Sequence, residues 1–271
     1  MIQKPLVSIL INNYNKQNYC EEALRSAILQ TYTNIEVIFY DDCSEDLSLQ
    51  KITNFKKKFK KKKIEIIKNK TRGKIFSFNQ MHGILRSVKK CKGQIVCLMD
   101  SDDFFKKDKV KKIVNFFLNH PKSEILFDYP IIYRNKNDLK KTKETFMFRE
   151  NKWPKFPPTS CISLKKNSLK NSIDKIFVKK FDDLWFDFRI ATYYSIKKNQ
   201  FNCLKENLTF YRQNDANYDK RFKKYINLRW WRRRMQAFDF LFFLNPEKYK
   251  KNKFSFDFLI TKLINKFSFI F

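Results

Sequence analysis

Three short polar groups carry the chemistry open to this sequence: Asn13-Tyr14-Asn15, Asp41-Asp42 and Asp100-Ser101-Asp102-Asp103. Each follows an apolar, β-rich run, at Leu6 to Ile11, Ile35 to Tyr40 and Gln94 to Met99. In an open parallel sheet, ligands bind outside the carboxyl ends of the strands, so such a fold gathers the three groups at one edge. Five aspartates there repel one another unless a cation or a hydrogen-bond donor pairs with them. Carboxylate oxygens without histidine or cysteine suit a hard divalent ion, Mg²⁺ or Mn²⁺. Mg²⁺ commonly takes one or two carboxylates and completes its shell with substrate phosphates. The pattern points to a metal–phosphate site. The bland alternative makes these aspartates helix caps and turn formers. It suits Asp46 or Asp108 standing alone, but accounts poorly for D-S-D-D after an apolar strand.

The elements that must position these groups alternate. Helical spacing of apolar residues runs over Tyr19 to Leu29, Asp46 to Phe59, Ile75 to Val88 and Lys107 to Leu118. Short apolar runs at Ile64 to Ile67 and Glu124 to Phe127 add two further strands. Alternation of this kind implies β-α-β units and a mostly parallel sheet, and the non-alternating apolar strands agree with burial on both faces. Beyond about residue 130 the rhythm weakens. Trp153-Pro154 and Pro157-Pro158 mark a loop. Strands are expected at Thr159 to Leu164, Phe201 to Leu204 and Leu208 to Arg212, and a helix at Asp182 to Lys197. From Lys220 the chain is basic, aromatic and helical in pattern.

Composition narrows the classes. The chain has 271 residues and only three glycines, Gly73, Gly83 and Gly93, too far apart for a dinucleotide fingerprint or a Walker loop. Six cysteines without a C-x-x-C pair, and two histidines, argue against zinc and fit a reducing compartment. Met1 to Pro5 runs straight into a strand and lacks the pattern of a signal peptide, and no apolar stretch is long enough to span a bilayer. The expected location is cytoplasmic, with peripheral association at the inner face of the cell membrane as the alternative. The net charge is +31. It points to a polyanion, either nucleic acid or an anionic membrane surface, or it reflects a biased base composition that enriches lysine.

At this point the residues carry a resemblance. VSILINNYN (7–15), ALRSAILQTYTNIEVIFYDDCS (23–44), LMDSDDFF (98–105), FDDLWFDFRI (181–190) and LTFYRQND (208–215) together resemble family 2 glycosyltransferases of the GT-A fold, over roughly residues 5 to 218. The resemblance implies an inverting, metal-dependent enzyme that moves a sugar from a nucleotide-diphosphate donor, UDP-linked in the expected case, to a hydroxyl. The acceptor would be a surface glycan or lipid-linked saccharide, such as a lipopolysaccharide intermediate. By the same resemblance, Asn13, Tyr14 and Asn15 line the nucleotide base, Asp41 binds its edge, and Asp42 stands close by. Arg72 and Asn79 lie in the segment that contacts nucleotide or sugar. Asp100, Asp102 and Asp103 occupy the D-x-D region, one touching ribose and another the bridging Mn²⁺ or Mg²⁺. Asp182 or Asp183 is the general base, with Asp183 in the aligned position. The alternative makes Asp182-Asp183 the acidic start of a helix. Arg212 either binds diphosphate or pairs with a carboxylate. The family often has glycine where this chain has Cys43, and a histidine after the closing arginine, where this chain has Gln213.

The expected organisation is an α/β GT-A domain over residues 1–219, with a nucleotide-sugar half (1–128) and an acceptor half (129–219). A helical, basic and aromatic segment follows over 220–271. Lys220 to Arg234 holds eight Lys or Arg and no acid, and Trp230-Trp231 stands beside three arginines. Phe256, Leu259, Ile260, Leu263, Ile264 and Phe267 recur at helical spacing, with Lys262 and Lys266 elsewhere on the wheel. Such helices lie in membrane interfaces, or pack on their own domain, or form a dimer contact. Two rivals to the transferase remain. A nucleotidyltransferase would carry a glycine-rich loop, absent here. A nucleic-acid binder would carry a recognisable binding motif, also absent, so no nucleic-acid partner is expected.

Overall fold

The computed structural model describes residues 4–142, 156–197, 201–213 and 226–267. Trp153-Pro154, Asn214-Asp215 and Lys220 to Tyr225, singled out above, lie outside the described residues. The first half alternates as its apolar periodicity requires. The elements are β1 (Val7–Asn13), α1 (Cys20–Ile28), β2 (Ile35–Asp41), α2 (Ser48–Lys58), β3 (Ile64–Lys68), α3 (Phe76–Lys90), β4 (Ile95–Asp100), β5 (Phe104–Phe105) and α4 (Lys109–Asn119). The second half contributes β6 (Ile125–Asn135), β7 (Asp138–Lys141), β8 (Ile162–Lys165), α5 (Lys166–Ile176), α6 (Phe186–Ile196) and β9 (Phe201–Arg212). The chain continues into α7 (Leu228–Leu244), α8 (Pro246–Tyr249) and α9 (Phe256–Phe267).

The strands form one sheet in the order β3-β2-β1-β4-β8-β6-β9-β5, with β7 on β6. β3, β2, β1 and β4 are parallel neighbours. β8 then enters antiparallel between β4 and β6, so the sheet is mixed beyond β4. The period of two along each strand divides the core into two. Val7, Ile9, Ile11, Val37, Phe39, Ile95, Cys97 and Met99 face α1, α2 and α4. Leu10, Ile38, Val96 and Leu98 face α3, α5 and α6. Burial on both faces is why these strands read as continuous apolar runs. Gly83 lets α3 lie close to the sheet: a Cβ there would meet Asn12 Oδ1 at 2.6 Å and the Tyr40 ring at 2.7 Å.

Several expectations change. Phe201 to Leu204 and Leu208 to Arg212 are one irregular strand, β9, whose pairing with β6 shifts register around Tyr129. Thr159 to Cys161 is a 3-10 turn rather than a strand start. The helix expected from Asp182 starts at Phe186, and Asp182-Asp183 stand in the turn before it. They are therefore not the acidic first turn of that helix. A further buried device ties the second half together. Lys109 on α4 and Asp128 on β6 form an ion pair of 2.7 Å with neither side chain exposed. Lys109 Nζ also donates to Ser160 O (2.7 Å) and Thr209 Oγ1 (2.6 Å), and Thr209 Oγ1 donates to Asp128. Burial raises the Asp128 carboxyl, with Lys109 opposing.

Candidate active site

The carboxyl ends of β1, β2 and β4 open into a cavity of about 380 Å³. Asn12, Asn13, Tyr14, Asp42, Asp100, Ser101 and Asp102 line it from those ends, with Arg72, Phe76, Asn79 and Gln80 from the approach to α3 and its first turn. Pro158, Thr159, Trp185, Asp187, Tyr211, Arg212 and Gln213 line it from the second half.

The β1 and β2 loops are bound to each other. Asn13 Nδ2 donates to Asp41 Oδ1 (2.8 Å) and Ser44 Oγ (3.0 Å), and Ser44 N and Oγ donate back to Asp41. Asn15 N donates to Ser44 Oγ, and Asn15 Oδ1 accepts from Glu45 N. Asp41 and Asn15 thus shape the loops and are not among the lining residues. Asp42 does face the cavity, where it accepts from Arg72 Nε (2.9 Å) and Asn69 Nδ2 (2.7 Å). Arg72 lies over the Tyr14 ring at 3.5 Å and the Phe76 ring at 4.4 Å, giving a flat cationic and aromatic wall. Asn79 holds the preceding loop through both its amide atoms on Gly73. Cys43 has a left-handed φ of 57°, which a glycine adopts without strain.

The D-S-D-D carboxylates divide. Asp100 accepts from Gln80 Nε2 (3.1 Å), and burial followed by the charge of Asp102 pushes its carboxyl up to about 7. Asp102 pairs with Lys16 Nζ at 2.5 Å. Asp103 points elsewhere: it is buried, accepts from Ser160 Oγ (2.5 Å) and Arg212 N (2.8 Å), and is raised well above the carboxylate range by burial. The sequence-based assignment of Asp103 as a metal ligand does not match this placement. Among the described residues no cluster of three or more His, Cys, Asp or Glu side chains could hold a metal ion. Two cavity-facing carboxylates, one of them raised by the other's charge, do fit a divalent ion that takes its remaining ligands from substrate phosphates.

Arg212 is held by carboxylate and backbone together. Its Nε donates to Asp102 O (2.8 Å) and its Nη2 to Glu22 (2.5 Å), and the rings of Tyr19 and Tyr133 each lie 4.6 Å away. It still lines the cavity. The Asp182-Asp183 turn is fixed from below by buried Arg189, which donates to Leu184 O, Ile176 O and Val178 O. It is covered by α7, which starts at Asn227, whose side chain accepts from Arg229 N. Arg229, Arg233 and Gln236 recur at helical spacing on one face. Arg229 reaches Asp183 with Nε (3.0 Å) and Nη2 (3.1 Å), and Arg233 with Nη2 (3.3 Å). Gln236 bonds Asp182 Oδ1 (2.8 Å) and the N–H of Asp183 (3.0 Å). Below this face, Phe181, Leu184, Phe188, Ala237 and Phe240 form a shared core, so α7 is built into the domain.

Asp183 is buried and is not among the lining residues; the nearby carboxylate that lines the cavity is Asp187, in the first turn of α6 beside Trp185. Lys16, Gln80, Trp185, Asp187 and Tyr211 were missed in the sequence. Asp187 had a signal: it belongs to the FDDLWFDFRI stretch (181–190) that carries the resemblance. Gln80 directly follows Asn79. Lys16 and Tyr211 had no signal separable from general polarity.

An open α/β sheet with polar loops gathered around one cavity at its strand ends defines a ligand-binding domain of the α/β class. The particular family is shown by comparison. The glycosyl transferase family 2 model matches residues 8–188, and the chain belongs to that family. An uncharacterized glycosyltransferase of Nostoc sp. is 27% identical over 224 residues, 78% of this chain and 66% of the relative. A putative teichuronic acid biosynthesis glycosyltransferase of Bacillus subtilis, TuaG, is 29% identical over 42% of this chain and 43% of its own. The chain thus spans at most about two thirds of the length of these curated relatives. Among solved structures, S. aureus TarS (1–349) with UDP-GlcNAc superposes with a TM-score of 0.65 at 18% identity, over 97% of this chain and 73% of that one. The mannosyltransferase PcManGT of Pyrobaculum calidifontis, with GDP-Man and Mn²⁺, gives 0.62 at 14%, over 97% and 74%. At these identities the likeness is one of fold.

Proposed function

We propose that this chain is an inverting glycosyltransferase that moves a sugar from a nucleotide-diphosphate donor to an acceptor hydroxyl. The observation that carries the reading is a set of buried polar atoms without partners around one cavity. Asn12 Oδ1, Asn13 Oδ1, Arg72 Nη2 and Gln80 Oε1 are all buried and unbonded, and all four residues line it. Such atoms are rare in folded proteins and call for a polar ligand. A nucleotide meets that need: its base lies along the Tyr14–Arg72 wall with Asp42 at its edge, and its ribose and diphosphate lie toward Asp100 and Asp102. Those two carboxylates would hold Mn²⁺ or Mg²⁺, which would neutralise the leaving diphosphate as a Lewis acid.

Asp183 takes the acceptor proton as the new C–O bond forms at the anomeric carbon, and the bond to the diphosphate breaks with its electron pair. A carboxylate offers about four lone-pair sites. Arg229 and Arg233 together engage both oxygens of Asp183 and orient it. A second reading assigns the proton to Asp187, favoured by its place in the cavity lining. The donor is a UDP-sugar, as in the TarS complex. The acceptor is a cell-surface glycan or lipid-linked saccharide; the B. subtilis relative is named for teichuronic acid biosynthesis. The reaction takes place in the cytoplasm, and the six free cysteines fit that compartment.

The test is a thermal-shift panel of UDP, GDP, CDP and dTDP with and without Mn²⁺. A diphosphate at 100 times its dissociation constant stabilises the fold by about 2.7 kcal/mol. For a chain of this size that raises Tm by roughly 5–10 °C. UDP with Mn²⁺ is expected to give the shift, and EDTA or Asp102→Ala to remove it. A flat panel from a folded protein would overturn the donor assignment.

A further inference from the structure

α9 is turned inside out. A helix on a soluble domain ordinarily buries its apolar stripe and shows its polar one. Here the inward face carries Phe258, Thr261 and Asn265. Phe258 packs edge-on against Phe238 at 5.2 Å, Thr261 is buried, and Asn265 donates to Trp231 O at 3.0 Å. Asp257 is held by Arg234 on α7 through a 2.9 Å bond. The outward face carries Phe256 (79% exposed), Leu259 (51%), Leu263 (56%) and Phe267 (52%). These recur every three or four residues and form one stripe. Lys262 and Lys266, both exposed, run along one side of it. Just before the helix stand Phe254, also 79% exposed, and Lys250, Lys251 and Lys253.

We propose that this face docks the protein onto an anionic lipid surface, with α9 lying in the plane of the interface. Four large apolar side chains facing water are costly for a helix whose register is fixed from behind by Asp257, Thr261 and Asn265, and burial among acyl chains recovers that cost. The lysines beside and before the stripe match negatively charged headgroups. The helix has 12 residues, and no helix among the described residues is long and apolar enough to cross a membrane. It therefore lies in the headgroup boundary, with its apolar face roughly 5–10 Å deep. This docking goes beyond sugar transfer and is independent of it, because no donor or acceptor enters the argument.

The test is flotation of the full chain with vesicles of phosphatidylglycerol and phosphatidylcholine, against pure phosphatidylcholine, at low and high salt. The protein is expected to float with the anionic vesicles at low salt and to be released as salt shortens the screening length. Each lysine near the surface contributes about fivefold, so Lys262→Glu/Lys266→Glu lowers partitioning by at least about 25-fold. Phe256→Glu/Leu263→Glu abolishes it. All four residues are exposed, so circular dichroism and Tm are expected to stay unchanged and to report any misfolding separately. Equal recovery below the gradient with and without anionic vesicles would overturn the proposal. So would flotation unaffected by Phe256→Glu/Leu263→Glu. A wild-type dimer without vesicle binding, split by that same variant, would overturn it in favour of a second copy of the chain.

Discussion

Replacing Asp183 by Asn separates the chemistry from the binding. The amide keeps the shape of the side chain but neither carries charge nor takes a proton. A general base contributes typically 10²–10⁴ in rate, so kcat is expected to fall by that factor, or about 2.7–5.4 kcal/mol in the barrier. Donor binding should survive, because Asp183 is not among the residues that line the cavity. The folded state loses as well. Arg229 and Arg233 would face a neutral amide, but their side chains are 29% and 18% exposed, so water solvates part of the charge. The cost is then about 1–3 kcal/mol, that of lost charge-assisted hydrogen bonds, below that of breaking a fully buried pair. The assay is therefore run well below the lowered Tm, at saturating UDP-sugar and Mn²⁺, with donor binding followed by thermal shift. Asp187→Asn is measured beside it. A near-normal kcat for Asp183→Asn, with the loss appearing in Asp187→Asn, would refute the assignment and move the base to the cavity wall.

Two further outcomes test the scaffold that holds the site. Lys109→Met leaves Asp128 as a buried, uncompensated carboxylate, which costs about 3–5 kcal/mol; a denaturant titration should show a much lower midpoint, and an unchanged one would mean that the pair is dispensable. Gly83→Ala places a methyl against Asn12 Oδ1 and the Tyr40 ring, at 2.6 and 2.7 Å before relaxation. Overpacking of this kind costs about 1–3 kcal/mol, and because Asn12 and Tyr40 line the cavity, the donor-induced shift in Tm should shrink with it.

The first half of the fold was legible because its code is local. Apolar runs of strand length, polar strand ends and amphipathic helices each fit one element, and their alternation fixes the parallel pairing of β1 to β4. The second half resists because its pairing is long-range. Nothing near Ile162 announces that β8 enters antiparallel between β4 and β6, and the single strand β9 reads as two because its register shifts within the pairing. The site divides in the same way. Asn13, Tyr14, Asp42, Arg72, Asn79, Asp100 and Asp102 were named from strand ends and resemblance, and the structure lines one cavity with all of them. Which of two neighbouring aspartates faces a ligand is set by a one-residue turn of the backbone and by distant partners. Asp41 is taken by Asn13 and Ser44, and Asp103 by Ser160 and the Arg212 N–H. Those partners come from other loops, so the local sequence holds no record of them.

The net charge of +31 gives a misleading picture of this site. Among the described residues, the cations that line it already serve carboxylates: Arg72 serves Asp42, Lys16 serves Asp102 and Arg212 serves Glu22. Among the described residues the cations that line the cavity are thus already paired and form no open basic patch. The Asp100 carboxylate accepts from the Gln80 amide, and burial followed by the charge of Asp102 raises it to about 7, so added positive charge there would relieve it. The surplus lysines lie elsewhere, on α2 and its following turn and around α9, on exposed surface. Basic charge here therefore argues for a surface that meets anions rather than for the site, whose described cations already serve carboxylates.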